Sequence, residues 1–227
     1  MTGSQEELIE HLRQSRQLPS DAVAAYMARV DRAHFAPRDC PAPYEDHPVC
    51  IGHGATMSAP SVHAVSLGLL EQHLKPGSTV LDIGSGSGYL CAVMGLMVGD
   101  KGGHVYGVDH IPELVETSIS SISEHFPDLI RGETVQIMVG DGHKGLPQHA
   151  PYDCIHLGAA VEDVPEDILG QLKPGGRLVG AIGAGPQQSL VTVDKNQDGS
   201  VNMAVIDGVQ FVPMTSVEAQ LETTMCD

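Results

Sequence analysis

The chain has 227 residues, 41% hydrophobic and 18% charged, which is enough for one α/β domain with a full core and no need of disulfides or metals. Its 12 Lys and Arg against 29 Asp and Glu give a formal net charge of −17, so it lacks the cationic surface on which nucleic-acid binding depends. No apolar run reaches the length of a membrane span, and the first ten residues are polar and acidic rather than signal-like, so the expected location is the cytosol.

Ser4 and Glu7 form a capping box ahead of Leu8, Ile9 and Leu12, which predicts a helix over 4–17. Ser20 caps a second, carrying Val23, Tyr26, Met27 and Val30. Residues 32–60 hold Pro37, Pro41, Pro43, Pro48 and the Gly52-His53-Gly54 step; the spacing predicts an irregular segment, and so long a one inside a compact domain is usually functional. Gly52 and Gly54 read as flexible positions. Helical period returns over 61–74 and is stopped by Lys75-Pro76-Gly77.

From there strands and helices alternate. Strands are predicted over 79–83, 104–108, 135–139, 152–157 and 177–182, and helices over 89–98, 112–126 and 165–172. Residues 189–193 and 201–212 flank the turn Asn196-Gln197-Asp198-Gly199 and predict an antiparallel hairpin. The fold class is therefore α/β, a doubly wound and mostly parallel sheet with a helical N-terminal extension and antiparallel C-terminal strands. One domain over 1–227 is expected, with N-terminal helices and a loop segment over 1–60, a ligand-binding core over 61–183 and a hairpin and tail over 184–227. The cysteines Cys40, Cys50, Cys91, Cys154 and Cys226 are odd in number and widely separated, so they read as reduced packing thiols and no metal site is expected.

Between a predicted strand and helix stands Asp82-Ile83-Gly84-Ser85-Gly86-Ser87-Gly88. Alternate glycines let the backbone turn tightly and let a ligand lie against bare main chain at the strand ends. The third glycine comes one residue too early for a dinucleotide loop, with Tyr89 in its place. The pattern instead resembles the first motif of class I S-adenosylmethionine-dependent methyltransferases, of Rossmann-like fold. In that reading Asp82 answers the donor's positive charge, directly or through water. Asp109, 21 residues after Gly88, accepts hydrogen bonds from the ribose, and Asp141-Gly142 at the third strand end contacts the adenine. Taken alone, Asp141 reads as a turn residue.

The acceptor must be read elsewhere, because the donor site is shared across this fold. His156-Leu157-Gly158-Ala159-Ala160 lacks an amine clamp, and Cys40 is followed, not preceded, by proline, so neither amino-group nor covalent pyrimidine chemistry fits. The run Gly54-Ala55-Thr56-Met57-Ser58-Ala59-Pro60 resembles the substrate loop of protein-L-isoaspartate O-methyltransferases. The resemblance extends through Asp31-Arg32, Pro43-Tyr44, Gly107-Val108-Asp109-His110, Gln171-Leu172-Lys173-Pro174-Gly175-Gly176 and Phe211-Val212-Pro213-Met214-Thr215.

The resemblance implies an enzyme that moves a methyl group from S-adenosylmethionine to the free carboxylate of L-isoaspartyl residues in damaged proteins, leaving S-adenosylhomocysteine. It makes Ser58 the active-site serine, and assigns the cofactor to Ala55, Thr56, Met57, Ser58, His63, Asp82, Gly84, Ser85, Gly86, Gly88, Tyr89, Asp109, His110, Leu114, Asp141, Gly142 and Thr215. Isoaspartyl peptides and proteins are the implied partners, with no nucleic acid and no membrane, and a monomer is expected. Ser61 and His143 stand where other residues are common in the family, which bears on substrate preference. Outside the resemblance, Ser58 before Ala59-Pro60 reads as a helix cap and His63 as a core histidine. A small-molecule O-methyltransferase and a non-enzymatic cofactor-binding module are the alternatives. The Asp198-Gly199 turn is itself expected to be prone to isomerise.

Overall fold

The computed structural model describes residues 3–222. Helices α1 (Gln5–Gln14) and α2 (Asp21–Arg29) start where their serine caps stand, Ser4 Oγ accepting from Glu7 N and Ser20 Oγ from Val23 N. The second half of the capping box is not made: Glu7 Oε2 accepts from Gly3 N instead of Ser4 N. A 3-10 turn over Arg32–Phe35 leads into a segment that is more regular than its prolines indicate. It carries an antiparallel hairpin, β1 (Val49–Gly52) and β2 (Ala55–Met57). Gly52, His53 and Gly54 all adopt positive φ in its turn, so these glycines shape a tight bend rather than a flexible hinge. A side chain on Gly54 would meet the Gln220 carbonyl at 2.7 Å.

Helix α3 (Pro60–Leu70) follows, then β3 (Thr79–Ile83), α4 (Tyr89–Val98), β4 (His104–Asp109), α5 (Pro112–His125), a short α6 (Pro127–Arg131) that the sequence did not signal, and β5 (Val135–Val139). Next come β6 (Tyr152–Val161), α7 (Glu166–Gln171), β7 (Leu172–Ile182), β8 (Gln188–Lys195), β9 (Val201–Val209) and α8 (Val217–Leu221). The strand predicted to run on to residue 212 ends at Val209. β7 begins at Leu172 rather than 177, but the Lys173–Gly176 stretch bulges out: Tyr152 pairs with Leu172 and Cys154 already with Arg177.

The sheet order is β5-β4-β3-β6-β7-β8-β9, parallel from β5 to β7, with β8 and β9 antiparallel. Strands β3 and β4 are buried along nearly their whole length: α4 and α5 pack on one face, and Leu146, Tyr152 and Ile168 belong to the cluster on the other. The two-residue period splits the core: Val80 joins Val105, Ile137 and α4 on one face, while Leu81 and Ile83 join Tyr106, Val108, Ile155 and Leu157 on the other. Helix α4 is apolar all round because it is buried all round. Arg177 and Asp194, cross-strand partners on β7 and β8, form a two-pronged ion pair at 2.7 and 2.8 Å; the guanidinium holds the carboxyl below its usual range.

Strand order reverses at β3, whose neighbours β4 and β6 lead in opposite directions. A crevice opens outside the carboxyl ends at such a switch point, and this is where the site lies.

Candidate active site

The loop after β3 is held open by its backbone. Gly84, Gly86 and Gly88 have φ of 72°, 49° and 80°, values that side-chain-bearing residues rarely adopt. Gly84 N and Ser85 N both donate to Val108 O, at 2.8 and 3.1 Å, which ties the loop to β4. Asp109, at the end of β4, accepts from Gly86 N through Oδ2 at 3.0 Å and from Ile111 N through Oδ1 at 3.1 Å. Its carboxylate is thus fixed by two backbone donors while still lining the crevice.

Two cavities meet at this loop, sharing Thr56, Gly84, Gly86 and Gly158 as walls. The larger, about 550 Å³, is mostly apolar, walled by Ile83, Val108, Val212, Pro213 and Met214, with Ala55, Asp109, His110, Gly142 and Thr215 around it. The smaller, about 340 Å³, is polar and gathers Met57, Ser58, His63, Asp82, Ser85 and Tyr89. Strand period explains how β2 serves it: Ala55 and Met57 are buried and Thr56 between them faces both cavities. Asp141 sits aside, in a neighbouring surface cavity with His143. Its Oδ1 accepts from His143 N at 3.0 Å, so the turn role is realised.

Gly88 and Leu114 are not brought to either cavity. Gly88 opens α4, and a side chain there would lie 2.9 Å from Ser118 Cβ, so this glycine serves close packing of α4 on α5. Leu114 is buried with Ala55 and Ile111, behind the wall rather than in it. Ser58 is not a helix cap: Ala59 holds that position on α3 without a side-chain bond, and Ser61 N is met instead by Asp46 Oδ1 at 2.9 Å.

Four residues outside the sequence-derived set organise the site. His156, mid-strand on β6, hydrogen-bonds Asp82 through Nδ1 at 2.8 Å, and the Cys91 thiol donates to the other Asp82 oxygen at 3.2 Å. Asp82 is only 1% exposed, so each of its oxygens already has a protein partner, and it keeps its remaining lone pairs for a ligand. Burial pushes the Cys91 thiol well above its ordinary pKa, which keeps it a donor.

Arg32 is fully buried, donates through Nη2 to Ser58 O at 2.8 Å, and lies 5.9 Å from the centre of the Tyr89 ring. No carboxylate contacts it among the described residues; burial lowers its pKa to about 10, so it remains a cation at neutral pH. Gln220, on α8, bonds His110 Nε2 at 2.7 Å and donates to His53 O at 2.9 Å, closing the larger cavity over the β1–β2 turn. The chain after β9 completes that wall, because Val212 O accepts from Ala160 N and Met214 N donates to Ala160 O at the end of β6.

His63 stacks on Tyr89 with ring centres 5.0 Å apart, and its Nδ1 faces Arg32 Nη1 at 3.4 Å. Burial first, then the charges of Arg32 and His156, push its pKa well below the ordinary value, so the imidazole is neutral and accepts from Arg32. In the unfolded chain it takes up a proton near pH ~6.5, before the folded chain does, and the unfolded state then binds more protons. Stability contributed by this group is therefore complete above that pH and is lost as pH falls below it. Chemical denaturation between neutral pH and mildly acidic pH should show this loss in the parent, and His63→Gln should flatten the slope; an unchanged slope would assign the acid sensitivity to other groups.

Residues 3–219 match the family model described as protein-L-isoaspartate(D-aspartate) O-methyltransferase. Protein-L-isoaspartate O-methyltransferase 1 of Arabidopsis thaliana is 49% identical over 216 residues, 94% of this chain and 92% of the relative. The protein-L-isoaspartate O-methyltransferase of Caenorhabditis elegans is 42% identical over 215 residues, 94% and 93% of the two chains. A crystal structure from Plasmodium falciparum, assigned to the same methyltransferase class and in complex with S-adenosyl-L-homocysteine, superposes with a TM-score of 0.87 at 30% identity, covering 94% of this chain and 99% of that one. With its glycine loop, Asp82, Asp109 and the Ser58 segment converging on one crevice, the chain belongs to the protein-L-isoaspartate (D-aspartate) O-methyltransferase family.

Proposed function

We propose that the chain is a protein-repair methyltransferase that transfers a methyl group from S-adenosylmethionine to the carboxylate of L-isoaspartyl residues, as the names of its relatives indicate for them. The observation that carries this reading is the joining of an apolar cavity to a smaller polar one lined by Ser58, across a glycine wall. The residues present fit the donor. The larger cavity suits the adenosine, with the fixed Asp109 carboxylate able to accept from a vicinal diol. In the smaller cavity the buried Ser85 hydroxyl has no partner in the protein, and Asp82 offers negative charge to the cationic end.

When bound, the donor supplies an electrophilic methyl on positively charged sulfur. The residues around it do not need to move a proton. An isoaspartyl carboxyl ionises near pH ~4, so it arrives as the nucleophile. The pKa of His63 is held well below its ordinary value, which makes the imidazole a weak proton acceptor, and burial raises Tyr89 to about 12, which keeps its phenol protonated, so neither is poised as a base at neutral pH. The one cation near the site among the described residues, Arg32, is buried and directs Nη2 to Ser58 O and Nη1 to His63, while its Nε has no partner. A neutral hydroxyl at Ser58 can therefore orient the carboxylate without holding its charge so tightly that the ground state is favoured over the less charged transition state. Positioning and exclusion of water supply the rate, and alignment alone is worth up to ~7–11 kcal/mol in favourable systems.

We read the described fold as one domain with the boundaries expected from the sequence, both cavities lying between its seven-stranded sheet and the β1–β2 hairpin, and the enzyme as a cytoplasmic monomer without nucleic-acid partners. No helix among the described residues is long and apolar enough to cross a membrane.

The test is transfer of labelled methyl to a peptide pair differing only in an isoaspartyl or aspartyl linkage. Base-labile label on the isoaspartyl peptide alone is the expected result; label on neither, with donor binding intact, would refute the reading. Ser58→Ala should lower kcat/KM roughly tenfold, the worth of about one hydrogen bond to a charged group. An unchanged value would remove Ser58 from the acceptor site.

A further inference from the structure

The chain contains three Asp-Gly pairs, and the fold treats them differently. Such a pair is chemically vulnerable because glycine leaves its amide nitrogen unshielded by a side chain. At Asp141-Gly142 the carboxylate accepts from His143 N and pairs with Lys144, and a side chain on Gly142 would lie 2.9 Å from Ile83, so the segment is packed in place. At Asp198-Gly199 the carboxylate accepts from Ser200 N at 3.0 Å and Ser200 Oγ at 2.6 Å. The Gly199 N–H is turned the other way and donates to Asn196 O at 3.0 Å. The Ser200 bonds also hold the Asp198 carboxyl below its usual range, and an ionised carboxylate has no hydroxyl to lose.

Asp207-Gly208 is arranged in the opposite sense. The Gly208 N–H donates to Asp207 Oδ1 at 2.8 Å, which places the amide nitrogen against the carboxyl group of the preceding residue. The pair directly follows a bulge, where Leu190 pairs with Asp207 and Val191 with Val205, leaving Ile206 as the extra residue. Strand β9 is the edge of the sheet, both residues are exposed, and a side chain built on Gly208 meets nothing within 4 Å. We propose that Asp207, not Asp198, is this chain's main site of spontaneous isoaspartate formation.

In the step, the Gly208 nitrogen bonds to the Asp207 side-chain carbonyl carbon, the carbon–hydroxyl bond breaks, and water leaves with the amide hydrogen. A five-membered succinimide remains. Water then adds to one of its two carbonyls: opening at the side-chain carbonyl restores aspartate, and opening at the main-chain carbonyl routes the backbone through the side chain as isoaspartate. No oxidant or cofactor is needed. The inference is independent of the proposed repair activity, because the reaction is uncatalysed.

The test is to age the full chain at neutral pH and physiological temperature without methyl donor, so that turnover cannot erase the product, until a free peptide of residues 203–211 has largely converted. Peptide mapping with fragmentation that distinguishes the two linkages should find severalfold more isoaspartate at Asp207 than at Asp198. Gly208→Ala should suppress conversion at Asp207 severalfold and leave Asp198 unchanged. Equal or greater conversion at Asp198, an intact Asp207 beside a converted free peptide, or an Asp207 rate indifferent to Gly208→Ala would each overturn the proposal.

Discussion

Asp109→Ala is expected to weaken S-adenosylmethionine binding roughly 100-fold, about 3 kcal/mol, with little change in unfolding free energy relative to that loss. Two effects add. The carboxylate is the acceptor that the proposed function offers to the donor's ribose, and hydrogen bonds to charged groups contribute ~1.5–3 kcal/mol each. Its removal also frees Gly86 N and Ile111 N, which it now fixes, so the loop bearing Gly84 and Gly86 loses its tie to the start of α5. Asp109→Asn keeps one acceptor and should fall between the parent and alanine. Calorimetric titration with the donor reads both variants. A dissociation constant for Asp109→Ala within a few-fold of the parent would place the ribose elsewhere in the crevice.

Arg32→Ala should produce the largest stability loss of any single change at the site, ~2–5 kcal/mol. The side chain is fully buried, and its deletion leaves Ser58 O without its 2.8 Å donor, deprives the His63 imidazole of its cationic partner and opens a void beside Tyr89. A buried acceptor left unpaired costs ~1–3 kcal/mol, and two are at stake before the void is counted. The backbone of Arg32 is itself held, N donating to Gln5 Oε1 while Gln5 Nε2 donates to Met27 O, so the loss should not spread to α1 and α2. Denaturant unfolding measures the loss, and isoaspartyl-peptide kinetics below the transition should show a raised KM as the Ser58 segment loosens. Arg32→Lys retains a donor for Ser58 O and should recover part of both. A loss under ~1 kcal/mol would mean that water replaces the guanidinium and that Arg32 does not anchor the segment.

Near-neighbour chemistry explains which elements were readable in advance. Strand β3, helix α4 and strand β5 begin and end where the residue pattern places them, because buried strands and a buried helix carry unbroken apolar runs bounded by glycine or polar residues. The short hairpin inside the 32–60 segment was not legible for the converse reason. It is only four and three residues a side, too short for a period to register, and its turn uses His53 at positive φ, a conformation that composition does not announce. Helix α8 was missed because five residues with one serine cap carry almost no periodic signal.

The sequence by itself determined the alternation of strands and helices, the glycine loop with its acidic strand ends, and the family to which the Ser58 run points. These are local: each depends on residues within a few positions of one another, so backbone preference and spacing suffice. Only the tertiary structure decided that Asp82 is shared between Cys91 and His156, that Arg32 supports Ser58 from behind, and that Gln220 closes the cavity over His53. It also decided that Gly88 and Leu114 lie outside the two cavities. Asp82 and His156 are 74 positions apart and meet only because β3 and β6 are neighbours in the sheet, with these two residues opposite each other in register. A pairing of that kind belongs to the packed chain, and no stretch of sequence contains it.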